Sequence, residues 1–184
     1  MPINLTRSLL AVLIPGLVSI MPWVILAGLH FNSLQGGYHE FAFVLNVMGF
    51  AIVVVVGALC QSIGSYAERR WDDERDEEYR VDHYWYAYLA LNCAKDAVGF
   101  RYISRLATSM FFELSMMTAS VFFAIGFGIL LASLAPSQWI LWSALGIGSG
   151  IASALAFRKQ ARDTHQTLCV TRQELVDRLG AATP

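Results

Sequence analysis

Charge is scarce in this chain, and it is missing in blocks. Of 184 residues only 15% are charged while 56% are apolar. Three stretches, 8–29, 41–67 and 106–157, hold a single charged side chain between them, Glu113. A soluble domain does not leave such runs bare, whereas a membrane span requires about 20 of these residues in a row to cross roughly 30 Å of hydrocarbon. Reactive groups are also few. Three cysteines without a CxxC spacing exclude a zinc ribbon or a redox pair, and no HExxH, GxSxG or P-loop pattern occurs. Gly146, Gly148 and Gly150 alternate as a dinucleotide loop would begin, but inside an apolar run where no phosphate reaches. The spans lack both the Ser and His pair and the two aspartates that intramembrane proteolysis uses. His30, His39 and Glu40 are too few for a metal site. These gaps predict a protein that is not an enzyme and holds neither cofactor nor metal.

What is present predicts an all-α integral membrane four-helix bundle with a small helical layer outside the bilayer. The last bare stretch is long enough for two spans and divides at Ala135-Pro136-Ser137, giving spans near 8–29, 41–65, 108–133 and 138–157. The chain then divides into spans one and two within 1–67, a polar helical segment 68–107, spans three and four within 108–157, and a tail 158–184. Arg7 before the first run resembles the start of a signal peptide, but the run is too long for one, carries Pro15 and Pro22, and lacks a small-x-small cleavage site, so it reads as a span. All thirteen Lys and Arg lie before span one, between spans two and three, or after span four. By the positive-inside rule both termini and the middle segment are expected to face the cytoplasm. Trp23, Trp139 and Trp142 fall at the opposite interface, and Cys60, Cys93 and Cys169 lie toward the reducing side, where no disulfide is expected.

Span four is rich in small residues. Gly146 and Gly150 form GxxxG, and Ala124 and Gly128 in span three share that spacing, which predicts a close hairpin of spans three and four or contact between subunits. Pro15 and Pro22 predict a kinked span one, either static or a hinge. Glu113 lies about one and a half turns inside span three, after Arg101 and Arg105. A carboxylate at that depth must be paired, protonated or wet. The choices are an ion pair with Arg105, Arg158 or Lys159, a water-filled path, or a proton relay.

From Glu68 to Asp82 eight acidic residues face four basic ones, without Pro or Gly, and Arg69/Asp73, Arg70/Glu74 and Asp76/Arg80 stand at helical spacing. This predicts a solvated helix continuing span two and repelled by nucleic acid. A second helix is expected from a cap at Asp82 to Ala94, with Trp85 and Tyr88 as candidate partner-binding residues, ending in a break at Asp96–Gly99. In the tail, Thr171 as N-cap, Glu174, a Val170/Leu175 staple and Gly180 predict a separate short helix docked on the aromatic one through Leu175, Val176 and Leu179.

The phrases Tyr84-Trp85-Tyr86-Ala87-Tyr88-Leu89, Gly99-Phe100-Arg101-Tyr102-Ile103 and Phe112-Glu113-Leu114-Ser115-Met116 resemble segments of small uncharacterised bacterial four-span inner-membrane proteins. The layout, though no motif, is similar to that of the membrane subunit of the Kiwa antiphage defence system. That resemblance implies a role in defence, and two readings follow. One is a homo-oligomeric channel or membrane effector in contact with lipid. The other is a non-conducting scaffold or sensor that recruits a soluble cytoplasmic partner. A small transporter is less well served, because the polar groups within the spans are limited to Asn46, Gln61 and Glu113 besides hydroxyls.

Overall fold

The computed structural model describes residues 5–30, 34–90 and 97–180, with side chains over 11–29, 42–85, 87–88 and 101–178. Among the described residues there are five α-helices in chain order: α1 (Leu5–His30), α2 (Leu34–Tyr79), α3 (Val81–Ala90), α4 (Ala97–Leu134) and α5 (Trp139–Gly180), the last two joined through a single 3-10 turn at Pro136–Gln138. No strand occurs among the described residues. Four of the helices, all but α3, are long and apolar enough to cross a membrane.

Helix α4 is the hub. It packs most extensively on α5 and also against α1 and α2, whereas α1 and α5 do not touch among the described residues. Close approach explains the strength of the α4–α5 contact. A Cβ on Gly146 would lie 2.9 Å from the Gly128 Cα, and one on Gly150 would overlap Ala124, so the two backbones meet where neither carries bulk. The GxxxG pair is thereby used within the subunit. A similar crossing joins α1 to α2, where a Cβ at Gly16 would collide with the Val53 carbonyl and one at Gly57 with that of Val12. Buried hydroxyls along α4 return their protons to the preceding turn, Ser115 to Phe111 O at 2.7 Å and Ser120 to Met116 O at 2.8 Å, so they add no unsatisfied donor to an apolar interior.

Several local expectations are corrected. Span two and the acidic segment form one 46-residue helix, as expected, but its start at Leu34 takes in most of what reads as the connection from His30 to Glu40. The chain turns at Arg80, whose φ of 45° is left-handed, and α3 begins at Val81 rather than behind a cap at Asp82. Asp82 instead lies in the first turn, and its N–H donates to the Asp76 carboxylate at 3.3 Å. α4 begins at Ala97, so Gly99 lies within it rather than in the expected break, whose Asp96 falls outside the described residues. The tail is no separate helix either. α5 continues to Gly180, and the Thr171 hydroxyl donates back to Thr167 O at 2.7 Å as a mid-helix residue does. Local cap signals lose at Thr171 because α5 is already propagating and adding a residue gains a hydrogen bond without a new nucleus. α1 stays helical through both prolines, with Ser19 Oγ donating to Pro15 O at 2.8 Å.

The apolar core lies at the charged end of the bundle. Trp71, Tyr88, Ile103, Met110, Leu114, Ala161 and Leu168 are buried together there, with Leu175 and Val176 packed against them. Leu175 and Val176, predicted to dock on the aromatic helix, pack on this core, which includes its Tyr88, while the Leu179 side chain lies outside the described residues.

Candidate functional site

The polar groups at the charged end fall into three adjoining clusters. The first is built on Glu113, which is only 3% exposed. Ser109, one turn earlier on α4, donates to its Oε1 at 3.1 Å, and Thr164 of α5 donates to Oε2 at 2.8 Å. Arg105 and Arg158 are exposed, and no ion pair joins either of them, or Lys159, to Glu113 among the described residues. The expected salt bridge is replaced by two hydroxyl donors, which can serve a buried carboxylate without bringing a second charge out of water.

The helix register also revises the depth of this carboxylate. Across the hairpin Gly128 faces Gly146, Ala124 faces Gly150 and Glu113 faces Thr164. Arg158 and Lys159 therefore stand opposite about residue 117 of α4. Glu113 lies beyond that level, on the charged side, and its surroundings are protein rather than lipid. Part of the bare run on α4 is apolar because Leu106, Met110, Phe111, Leu114 and Met117 pack in the core described above.

The second cluster centres on His165 of α5, buried to 2% exposure. Its Nε2 lies 2.8 Å from Asp72 Oδ1, its Nδ1 lies 2.8 Å from Arg75 Nη1, and the Trp71 ring meets it edge-on at 6.0 Å. Burial lowers the imidazole pKa, but the hydrogen bond to Asp72 and the neighbouring Cys169 push it up, on balance to about 9. Arg75 sets the opposite condition. A guanidinium only donates, so Nδ1 must accept, and the ring in this arrangement is the neutral tautomer with its proton on Nε2. Charging the ring would place two donors 2.8 Å apart, so imidazolium and the Arg75 contact exclude each other. Arg75 also donates to Arg162 O at 3.3 Å, and Arg162 approaches Glu74 at 3.8 Å. These contacts tie α2 to α5.

The third cluster is a cavity of about 400 Å³ lined by Glu68 and Asp72 of α2, Val81, Asp82 and Trp85 of α3, Ala107, Met110 and Phe111 of α4, and Arg172 of α5. The Arg172 guanidinium lies over the Trp85 ring, 4.3 Å from its centroid, and its Nε is buried without a hydrogen-bond partner. Burial, and then repulsion from Asp72, push the Glu68 carboxyl above its ordinary pKa, while burial pulls Arg172 below its own. Trp85 is 37% exposed and borders this opening. Tyr88 is instead buried in the core, which corrects its assignment as a partner-binding residue.

No described group of three or more His, Cys, Asp or Glu side chains converges to hold a metal ion. The side chains of His30, His39 and Glu40, like Cys93, lie outside the described residues. Cys60 and Cys169 are free thiols. Glu113 and the aromatic helix stand out in the sequence, but the His165 cluster does not, because its partners are 90 and 93 residues away. No protein-family model, curated protein or solved structure matches the chain.

Proposed function

We propose that the protein is a homo-oligomeric channel or membrane effector of the bacterial inner membrane, with its charged layer in the cytoplasm as the receiving end, acting in defence or stress. One observation carries the self-association. With Gly146 and Gly150 turned to α4, a second small-residue row on α5, Ala144, Gly148, Ala152 and Ala156, stays exposed, and a Cβ on Gly148 would meet nothing within 4 Å. Membrane helices associate by close backbone approach at small residues spaced by four, so this row offers a second copy the geometry that the first row uses inside the subunit.

The test uses the intact protein in liposomes and its particle mass in detergent. Gly148→Ile adds bulk only where the subunit has open space, so it leaves the melting temperature in place while shifting the particle to monomer and abolishing ion flux. A monomeric wild-type protein, or an oligomer untouched by this substitution, rejects the reading. The scaffold alternative draws on exposed Trp85 beside the acidic face of α2. It requires that a soluble protein co-purify with the wild type and be lost with Trp85→Ala.

A further inference from the structure

The cavity between α2, α3, α4 and α5 has the make-up of a ligand site rather than a packing defect. Its volume of about 400 Å³ falls within the range of small-molecule pockets. Val81, Ala107, Met110 and Phe111 give it apolar lining, and Glu68, Asp72 and Asp82 add three carboxylates against one guanidinium, Arg172. Asp72 is partly committed to His165 and the Arg172 charge to the face of Trp85. Glu68 and Asp82 make no ion pair among the described residues. The surplus of negative charge calls for a cation.

The layout decides which kind. A metal ion needs its ligands drawn together, and these carboxylates do not converge. Acceptors that do not converge, set among apolar side chains, suit separated N–H donors on a hydrocarbon chain. Arg172 already displays that chemistry inside the cavity, as a cation on a methylene stem laid over an indole. Position adds a further constraint, because Glu68 and Arg172 lie on the charged side of the level marked by Arg158 and Lys159, which opens the site to water-soluble ligands.

We propose that this cavity binds an aliphatic di- or polyamine, with ammonium groups at Glu68 and Asp82 and the methylene chain along Met110, Phe111 and Trp85. The inference rests on the proposed function only in taking the charged layer as the receiving end. Because binding is measured without any flux, the two can fail separately. Burial, and then repulsion from Asp72, raise the Glu68 carboxyl pKa, and a bound ammonium would offset both.

Calorimetry on the full chain in phosphatidylcholine nanodiscs, titrated with spermidine and with 1,4-diaminobutane, tests the proposal. Saturable binding is expected, weakened about tenfold or more by Glu68→Gln, as loss of a charge-assisted bond predicts. Asp82→Asn, at an exposed position outside the core, gives a second reading if Glu68→Gln lowers the melting temperature. Magnesium at equal ionic strength should leave most of the affinity intact. No saturation up to about ten millimolar, a hundredfold above a typical metabolite affinity, overturns the proposal. Equal affinity in both variants, or full displacement by magnesium, overturns it as well.

Discussion

Replacing Thr164 by valine removes one oxygen and keeps the shape of the side chain, which makes it a clean probe of the Glu113 clasp. The hydroxyl donates to Oε2 at 2.8 Å, and the carboxylate is buried with Ser109 as its only other donor among the described contacts. A hydrogen bond to a charged group contributes about 1.5–3 kcal/mol, and a buried carboxylate losing it cannot turn to water. Thr164→Val should therefore cost about 2 kcal/mol, roughly a 30-fold change in the unfolding equilibrium. Ser109 is exposed and its bond longer, 3.1 Å, so water can replace it and Ser109→Ala should cost under about 1 kcal/mol. Glu113→Gln keeps one acceptor and offers an amide donor to a hydroxyl that can rotate, so it should fall between them, and Thr164→Val should cost less in that background. Denaturant unfolding of the purified protein in one detergent gives every value, including the double-mutant cycle between Thr164 and Glu113. If Thr164→Val costs less than Ser109→Ala, or costs the same in the Glu113→Gln background as in the wild type, the clasp is not what holds this carboxylate.

In the α4–α5 hairpin, Gly150→Val forces a methyl into Ala124 and should lower stability by about 3 kcal/mol, while Gly148→Val should change it by less than about 0.5 kcal/mol. Thermal melting that ranks the two alike refutes the assigned contact face. Freed of Arg75, His165 can take its second proton, and the sign of the effect follows. A folded pKa near 9 exceeds the ordinary 6.5, so the added stability is complete below 6.5 and is lost as pH rises through 9. The wild type should show that decline in melting temperature, and Arg75→Ala, which removes the competing donor, a larger one; an equal decline in both disproves the exclusion between Arg75 and the imidazolium. Trp85→Ala removes the ring under Arg172 and the stacked contact to Tyr88, 6.4 Å between centroids, and should cost about 1–2 kcal/mol with faster proteolysis in α3. Unchanged proteolysis speaks against α3 being docked through this ring.

Hydropathy alone places the four long helices, because a bare run of charge leaves a chain no soluble alternative. The solvated continuation of α2 and the tight α4–α5 hairpin are likewise legible, since both rest on spacing within a few turns. Errors arise where a local signal meets a longer-range demand. Thr171 and Glu174 spell a helix start, yet the chain there is already helical. Glu113 looks deep because α4 is apolar around it, but that apolar surface faces Trp71, Tyr88 and Leu168 rather than lipid. His165, Asp72 and Arg75 are ordinary residues on two separate helices, and nothing short of their pairing across the layer singles them out.

Helix α5 carries Arg172 at the cavity, His165 and Thr164 in the polar clusters, and the row from Ala144 to Ala156 without an interruption. It can therefore behave as a drive shaft. Rotation imposed at its charged end reaches the far segment, since no proline or loop lies between to absorb torque, and a turn of roughly 20° at a side-chain radius of about 5 Å sweeps the small-residue row by about 2 Å. Such a displacement is enough to engage or release a neighbouring helix that depends on backbone contact. Under the proposed function, cation binding at the cavity and self-association through the row from Ala144 to Ala156 would be linked by this one continuous helix.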